Sequence, residues 1–123
     1  MNHGEHVFIG VVIFFVYNFF NNTVINLILN PLIGFSIGSL WLIGIFLTVF
    51  GSVIPDRLEP ANHWTHRNKF HSKITLGITE KIFGATAVIG LFTPILYYIS
   101  CFFLGYVFHL LADSMTPAGL PEN

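Results

Sequence analysis

Pro55-Asp56-Arg57-Leu58-Glu59-Pro60-Ala61-Asn62-His63-Trp64-Thr65-His66-Arg67-Asn68-Lys69-Phe70-His71-Ser72 is the one long polar stretch in a chain otherwise built of Phe, Ile, Leu, Val and Gly. It holds three of the six histidines, three of the five basic residues and two of the six acids. Apolar runs lie on both sides of it, and the way those runs divide decides the fold.

The chain has 123 residues, enough for a single domain over residues 1–123. Charged residues make up only 9% and apolar ones 54%, whereas a soluble domain carries roughly 25% charged residues. So little charge cannot coat a water-facing surface, and the composition points to an integral membrane protein. A net charge of −1 excludes phosphate-backbone binding, which needs clustered positive charge, so no nucleic-acid partner is expected. Cys101 stands alone in an apolar run and reads as a small packed hydrophobe. The start, Met1-Asn2-His3-Gly4-Glu5-His6, lacks the basic region of a cleavable signal, so the first apolar segment is expected to stay in the mature protein.

A spanning helix takes about 20 residues. Val7–Leu29 reaches that length if Asn21-Asn22-Thr23 is included. Within it Asn18, Asn22 and Asn26 repeat at i, i+4, a stripe suited to hydrogen bonding between helices or to a wet helix end. Asn30-Pro31 is a break. Leu32–Ile54 follows without a charge, and its Gly34 and Gly38 form a G-x-x-x-G. After the polar stretch come a third helix near Ser72–Phe92, with Ser72 as its N-cap, and a fourth near Pro94–Ser114, divided at Thr93-Pro94. The rival division is one helix from about 82 to 104 plus a separate C-terminal piece. The expected fold is therefore all-α: an integral membrane bundle of four transmembrane helices with a polar metal-binding loop between the second and third.

Four antiparallel helices bring residues far apart in sequence to one membrane face. His6 opens the first helix, and Asp56 lies just past the second. His66 and His71 precede the third, while His109 and Asp113 end the fourth. Arg57, Arg67, Lys69 and Lys73 lie in the same connection, so the positive-inside rule predicts that this face and both termini are cytoplasmic.

His109 and Asp113 stand one turn apart on one helical face. A carboxylate at a membrane helix end is costly unless it is paired or bound to a cation, and a zinc site takes about four N or O ligands. Asp56, His71, His109 and Asp113 are the first candidates, with His6 beside them. His66 and His71 are about 140° out of phase on a helix, so a loop must carry them if both face one ion. Arg67 can clamp a phosphate bidentately and Lys69 offers a point charge. Glu59 and His66 are the candidate catalytic groups; each can also serve as a ligand, or Glu59 can orient a histidine. A divalent ion beside such cations suits phosphoester hydrolysis. Each residue also has a structural reading: histidine at a helix terminus is commonly interfacial and aspartate is often a cap. The segment following the fourth helix, Thr116-Pro117-Ala118-Gly119, is expected to fold back over the site as a loop.

Gly51–Asp56 (G-S-V-I-P-D), Glu59-Pro60, His66–Ser72 and His109–Gly119 (H-L-L-A-D-S-M-T-P-A-G) resemble the YdjM-like membrane-bound metal-dependent hydrolases. The resemblance implies a four-helix inner-membrane protein with a metal centre. A more distant likeness is to zinc-dependent phospholipases C, which use Asp, then His, then His-x-x-x-Asp to hold one zinc. Asp56, His71, His109 and Asp113 follow that order, and the second His-x-x-x-Glu of those enzymes is absent. Together these readings predict a metal-dependent hydrolase with zinc as cofactor and membrane lipids as partners, acting on a phosphoester of a lipid or lipid-linked substrate at the cytoplasmic face. The alternative is a non-catalytic scaffold whose ion pins helix ends together. A transporter would need mid-membrane ionisable groups, and Glu80 and Lys81, one residue apart, point to different faces of their helix.

Overall fold

The computed structural model describes residues 3–24, 27, 41–58 and 72–115. Among the described residues there are four helices and no strand: α1 (His3–Val24), α2 (Trp41–Leu58), α3 (Lys73–Ile89) and α4 (Pro94–Ser114). Glu5 in the first turn of α1 and Arg57 in the last turn of α2 complement the helix dipoles. Ser72 caps α3 as expected, its Oγ accepting the Thr75 N–H at 3.0 Å. Pro94 sits at the first position of α4, where its missing N–H costs nothing.

The helices run alternately up and down, and α4 is central. It packs against α1, α2 and α3. Phe14 of α1 meets Tyr97 and Cys101 of α4 in one core cluster, and Tyr106 and Leu110 form a second with Ile54 and Leu76 beside them. The α2–α4 contact is backbone on backbone. A Cβ on Gly51 would collide with Phe102 O, and one on Gly105 with Thr48 O, so only glycine permits this approach. Between α1 and α4, Tyr97 Oη donates to Asn18 Oδ1 at 2.9 Å, and Tyr17 Oη and Ser100 Oγ are bonded at 2.6 Å. Asn18 thus takes the interhelical role that its stripe suggested, and Asn26 lies outside the described residues. Cys101 is buried and free. The exterior is apolar, with Phe8 69% and Phe46 77% exposed.

Several expected boundaries are corrected. The first helix begins at His3 rather than at His6, three residues before the head that was expected for it. The second does not stop at Ile54; it runs through Pro55 and Asp56 to Leu58. Proline in a last turn removes a single backbone bond, and the helix tolerates that loss. Residues 31–40, with Gly34 and Gly38, lie outside the described residues. Two helical segments, Gly4–Val24 and Ile95–Ser114, are long and apolar enough to cross a membrane. α2 and α3 do not reach that measure among the described residues: they have 18 and 17 residues, and α3 carries Lys73, Glu80 and Lys81.

Candidate metal centre

Three helix ends meet at one end of the bundle. α1 contributes His6 from its first turns, α2 contributes Asp56 from its last turn, and α4 contributes His109 and Asp113, one turn apart. His6, His109 and Asp113 are 1%, 1% and 2% exposed, so their charges and lone pairs are satisfied inside the protein or not at all.

The distances are those of two imidazoles facing two carboxylates. His6 Nε2 lies 3.5 Å from Asp113 Oδ1 and 4.0 Å from Asp56 Oδ2. His109 Nε2 lies 3.2 Å from Asp113 Oδ2 and 3.5 Å from Asp56 Oδ1. Most of these exceed a good N–H···O bond. Ligands about 2.0–2.1 Å from a tetrahedral ion stand about 3.3 Å apart, and the separations here, 3.2–4.0 Å, start near that value and extend beyond it. The imidazole rings of His6 and His109 are stacked, with centroids 3.8 Å apart and planes 26° apart, so their edges face the carboxylates side by side.

The orientation of His109 is fixed from behind. Its Nδ1 is 2.6 Å from the backbone oxygen of Ser52. A carbonyl can only accept, so Nδ1 carries a proton and Nε2 is the atom turned into the cluster. His6 has no hydrogen-bond partner at either ring nitrogen among the described residues. Two carboxylates and two imidazoles turned towards one point need a cation between them or protons on the rings. His6, Asp56 and His109 offer ligand atoms all within 4.8 Å of one another, and they could hold a metal ion with Asp113 alongside.

Of the residues singled out in the sequence, His6, Asp56, His109 and Asp113 are brought together. Asp56 stands inside α2 rather than just past it. Glu59, His66, Arg67, Lys69 and His71 lie outside the described residues, as do His63 and Thr116-Pro117-Ala118-Gly119. Sequence reasoning missed Ser52, whose backbone oxygen orients His109. Its position one turn before Asp56 on the same face was the available signal. An apolar groove of ≈ 470 Å³ runs along α2, lined by Phe46, Val49, Phe50, Val53 and Ile54, with Arg57 at its polar end.

A family model described as YdjM inner membrane protein matches residues 1–121. No curated protein and no solved structure matches the chain. With the match spanning nearly the whole sequence, the chain belongs to the YdjM inner membrane protein family.

Proposed function

We propose that this member of the YdjM inner membrane protein family is a four-span, zinc-dependent hydrolase that cleaves a phosphoester of a lipid or lipid-linked substrate at the cytoplasmic face. The observation that carries the reading is the buried His6–Asp56–His109–Asp113 cluster, with its 3.2–4.0 Å separations. Two carboxylates neutralise a divalent ion, and two imidazoles complete a nitrogen and oxygen donor set suited to zinc. A bound divalent ion supplies Lewis-acid polarisation of a phosphoryl oxygen and activates water near neutral pH.

The chain's own residues do the rest. Ser52 O holds the His109 ring in one tautomer, which fixes where its lone pair points. Arg57 follows Asp56 directly and stands at the end of the α2 groove. A substrate whose tail lies in that groove therefore has its anionic group beside the donors. Arg67 and Lys69 are assigned to the substrate's phosphate, Glu59 and His66 to proton transfer, and His71 to the ion. The excess of basic residues between α2 and α3 supports a cytoplasmic placement of the site and both termini.

The second reading, a metal-stabilised scaffold, is favoured by the same count of donors. Four protein ligands can close a tetrahedral sphere, as in structural zinc sites, whereas catalytic sites keep one position open. Cobalt(II) substitution separates the two: an absorption spectrum that changes on adding phosphate indicates an open position, and an insensitive one a closed sphere.

Elemental analysis of the detergent-purified protein, beside His109→Ala and Asp113→Asn, tests the centre itself. The wild type is expected to hold at least one zinc per chain and both variants to lose it, with phosphoesterase activity towards phospholipids lost in parallel. A well-folded wild type that takes up no metal even after incubation with zinc overturns the reading.

A further inference from the structure

α3 turns a face outward that no described helix covers. Its inward side carries Thr75, Leu76, Thr79 and Phe83; Thr79 is buried and Leu76 packs beside Tyr106 and Leu110. At about 100° per residue the far side carries Gly77, Lys81, Gly84 and Val88, with Glu80 on its flank. Glu80, Lys81, Gly84 and Val88 are all exposed. A Cβ added to Gly77 or to Gly84 would meet nothing within 4 Å.

The depth of this face follows from the α3–α4 hairpin. The turn before Pro94 joins two antiparallel, packed helices. Counting back from it to Glu80 and forward by the same number reaches the neighbourhood of Leu104. That is halfway along Ile95–Ser114, a segment fit to cross a membrane. An acid and a base thus stand at mid-depth on the outer surface, and no ion pair joins either to another described residue. Ionisable groups facing hydrocarbon are costly, and membrane chains place them where they pair.

We propose that this face is a homodimer interface, in which two copies pack α3 against α3 about a two-fold axis along the membrane normal. Glu80 of each copy pairs with Lys81 of the other. The inference rests on α3 lying alongside α4 in the membrane and is independent of the metal centre.

The angles select a second copy over an unrelated helix. Taking the line through Gly77 and Gly84 as the contact, Glu80 lies about 50° to one side and Lys81 about 50° to the other, with about 1.5 Å between them in height. In a parallel pair related by a two-fold axis, the left flank of one helix meets the right flank of its partner. The acid therefore meets the base twice, and no like charges are opposed. Gly77 and Gly84, two turns apart, let the backbones approach closely enough for those short-range pairs to form. Both charges leave the lipid in the same step.

The test is self-association of the full-length protein in phosphatidylethanolamine–phosphatidylglycerol vesicles, followed by single-molecule photobleaching over a range of protein-to-lipid ratios. The wild type is expected to dimerise. Gly84→Ile, whose side chain has open space in the single chain, is expected to weaken association about tenfold or more with unchanged helicity. Glu80→Lys and Lys81→Glu each place like charges opposite one another and weaken it as well. The double variant Glu80→Lys/Lys81→Glu regains the dimer, and the two single variants mixed together form a heterodimer. A monomeric wild type at every ratio overturns the proposal. So does undiminished association in all three single variants, or a double variant no better than either charge change alone.

Discussion

Gly105→Ala is the sharpest probe of the link between packing and the metal centre. The added Cβ would collide with Thr48 O and lie 2.8 Å from Ser52 N, both backbone atoms of α2. Neither can swing aside as a flexible side chain would. Restoring the Ser52 N contact alone to about 3.4 Å requires α4 to retreat from α2 by about 0.6 Å, and the tighter Thr48 O clash requires more, an overpacking strain of at least about 1–3 kcal/mol. His109 lies one turn further along α4, and the same retreat stretches its 2.6 Å bond to Ser52 O to at least about 3.2 Å, at or beyond the limit of a useful hydrogen bond. Loss of a group that orients a metal ligand typically costs about 10–100-fold in metal affinity. Thermal unfolding in the presence of chelator reads the strain, and a zinc titration reads the affinity. Gly84→Ala, compared at a protein density low enough to keep the chain monomeric, is the control: its methyl meets nothing within 4 Å in its own chain, and alanine gains about 0.8–1.0 kcal/mol of helix propensity over glycine. If Gly105→Ala unfolds at the wild-type temperature and binds zinc with wild-type affinity, the argument from close approach is wrong.

Two further substitutions probe the frame. Ser72→Ala removes the side-chain acceptor of the Thr75 N–H and is expected to cost about 0.5–2 kcal/mol, seen as faster amide exchange in the first turn of α3 and not in α1. Tyr97→Phe deletes the donor to Asn18 Oδ1 and is expected to lower stability by about 0.6 kcal/mol, the average for such bonds between membrane helices; steric trapping or denaturant titration in bicelles measures it, and a loss above about 2 kcal/mol would mean that the tyrosine does more than bridge α1 and α4.

The meeting of His6, Asp56, His109 and Asp113 was legible because it needs only alternation of helix direction and a one-turn spacing. His109 and Asp113 share a face by periodicity, and the helix count puts the other two at the same end. Helix bounds were less legible. Pro55 reads as a stop in the sequence, yet in a last turn its cost is one backbone bond, so α2 carries Asp56 inside its helix. That position differs from a loop ligand: the Asp56 Cβ direction is fixed by the backbone, which turns one oxygen to each histidine. The orienting role of Ser52 belongs to a backbone carbonyl, which has no residue signature at all. The histidines and cations of residues 59–71 were equally visible in sequence, but a connecting stretch has no periodicity from which to read their placement.

The spacing of the cluster has its cause one turn deeper in the bundle. Gly10 stands four residues after His6, Ser52 four before Asp56, and Gly105 four before His109, so each lies under its donor on the same helical face. Ser52 meets both glycines: a Cβ on Gly10 would lie 3.0 Å from Ser52 Oγ, and one on Gly105 2.8 Å from Ser52 N. A layer of two glycines and a serine is what allows three helices to approach closely enough for the layer above to reach separations of 3.2–4.0 Å. With ordinary apolar side chains in the lower layer the helix axes would stand about 8–10 Å apart, and the donors above would spread with them. Small residues under the site and chemical residues in it are therefore one device. A cation held there by three helices would oppose the separation of the close-packed backbones beneath it. A ligand that binds only the folded state adds about 2.7 kcal/mol at a hundredfold excess over its dissociation constant. That is of the same order as the strain that a single methyl at Gly105 imposes, so a bound ion and a tight glycine contact trade against each other within one energy scale.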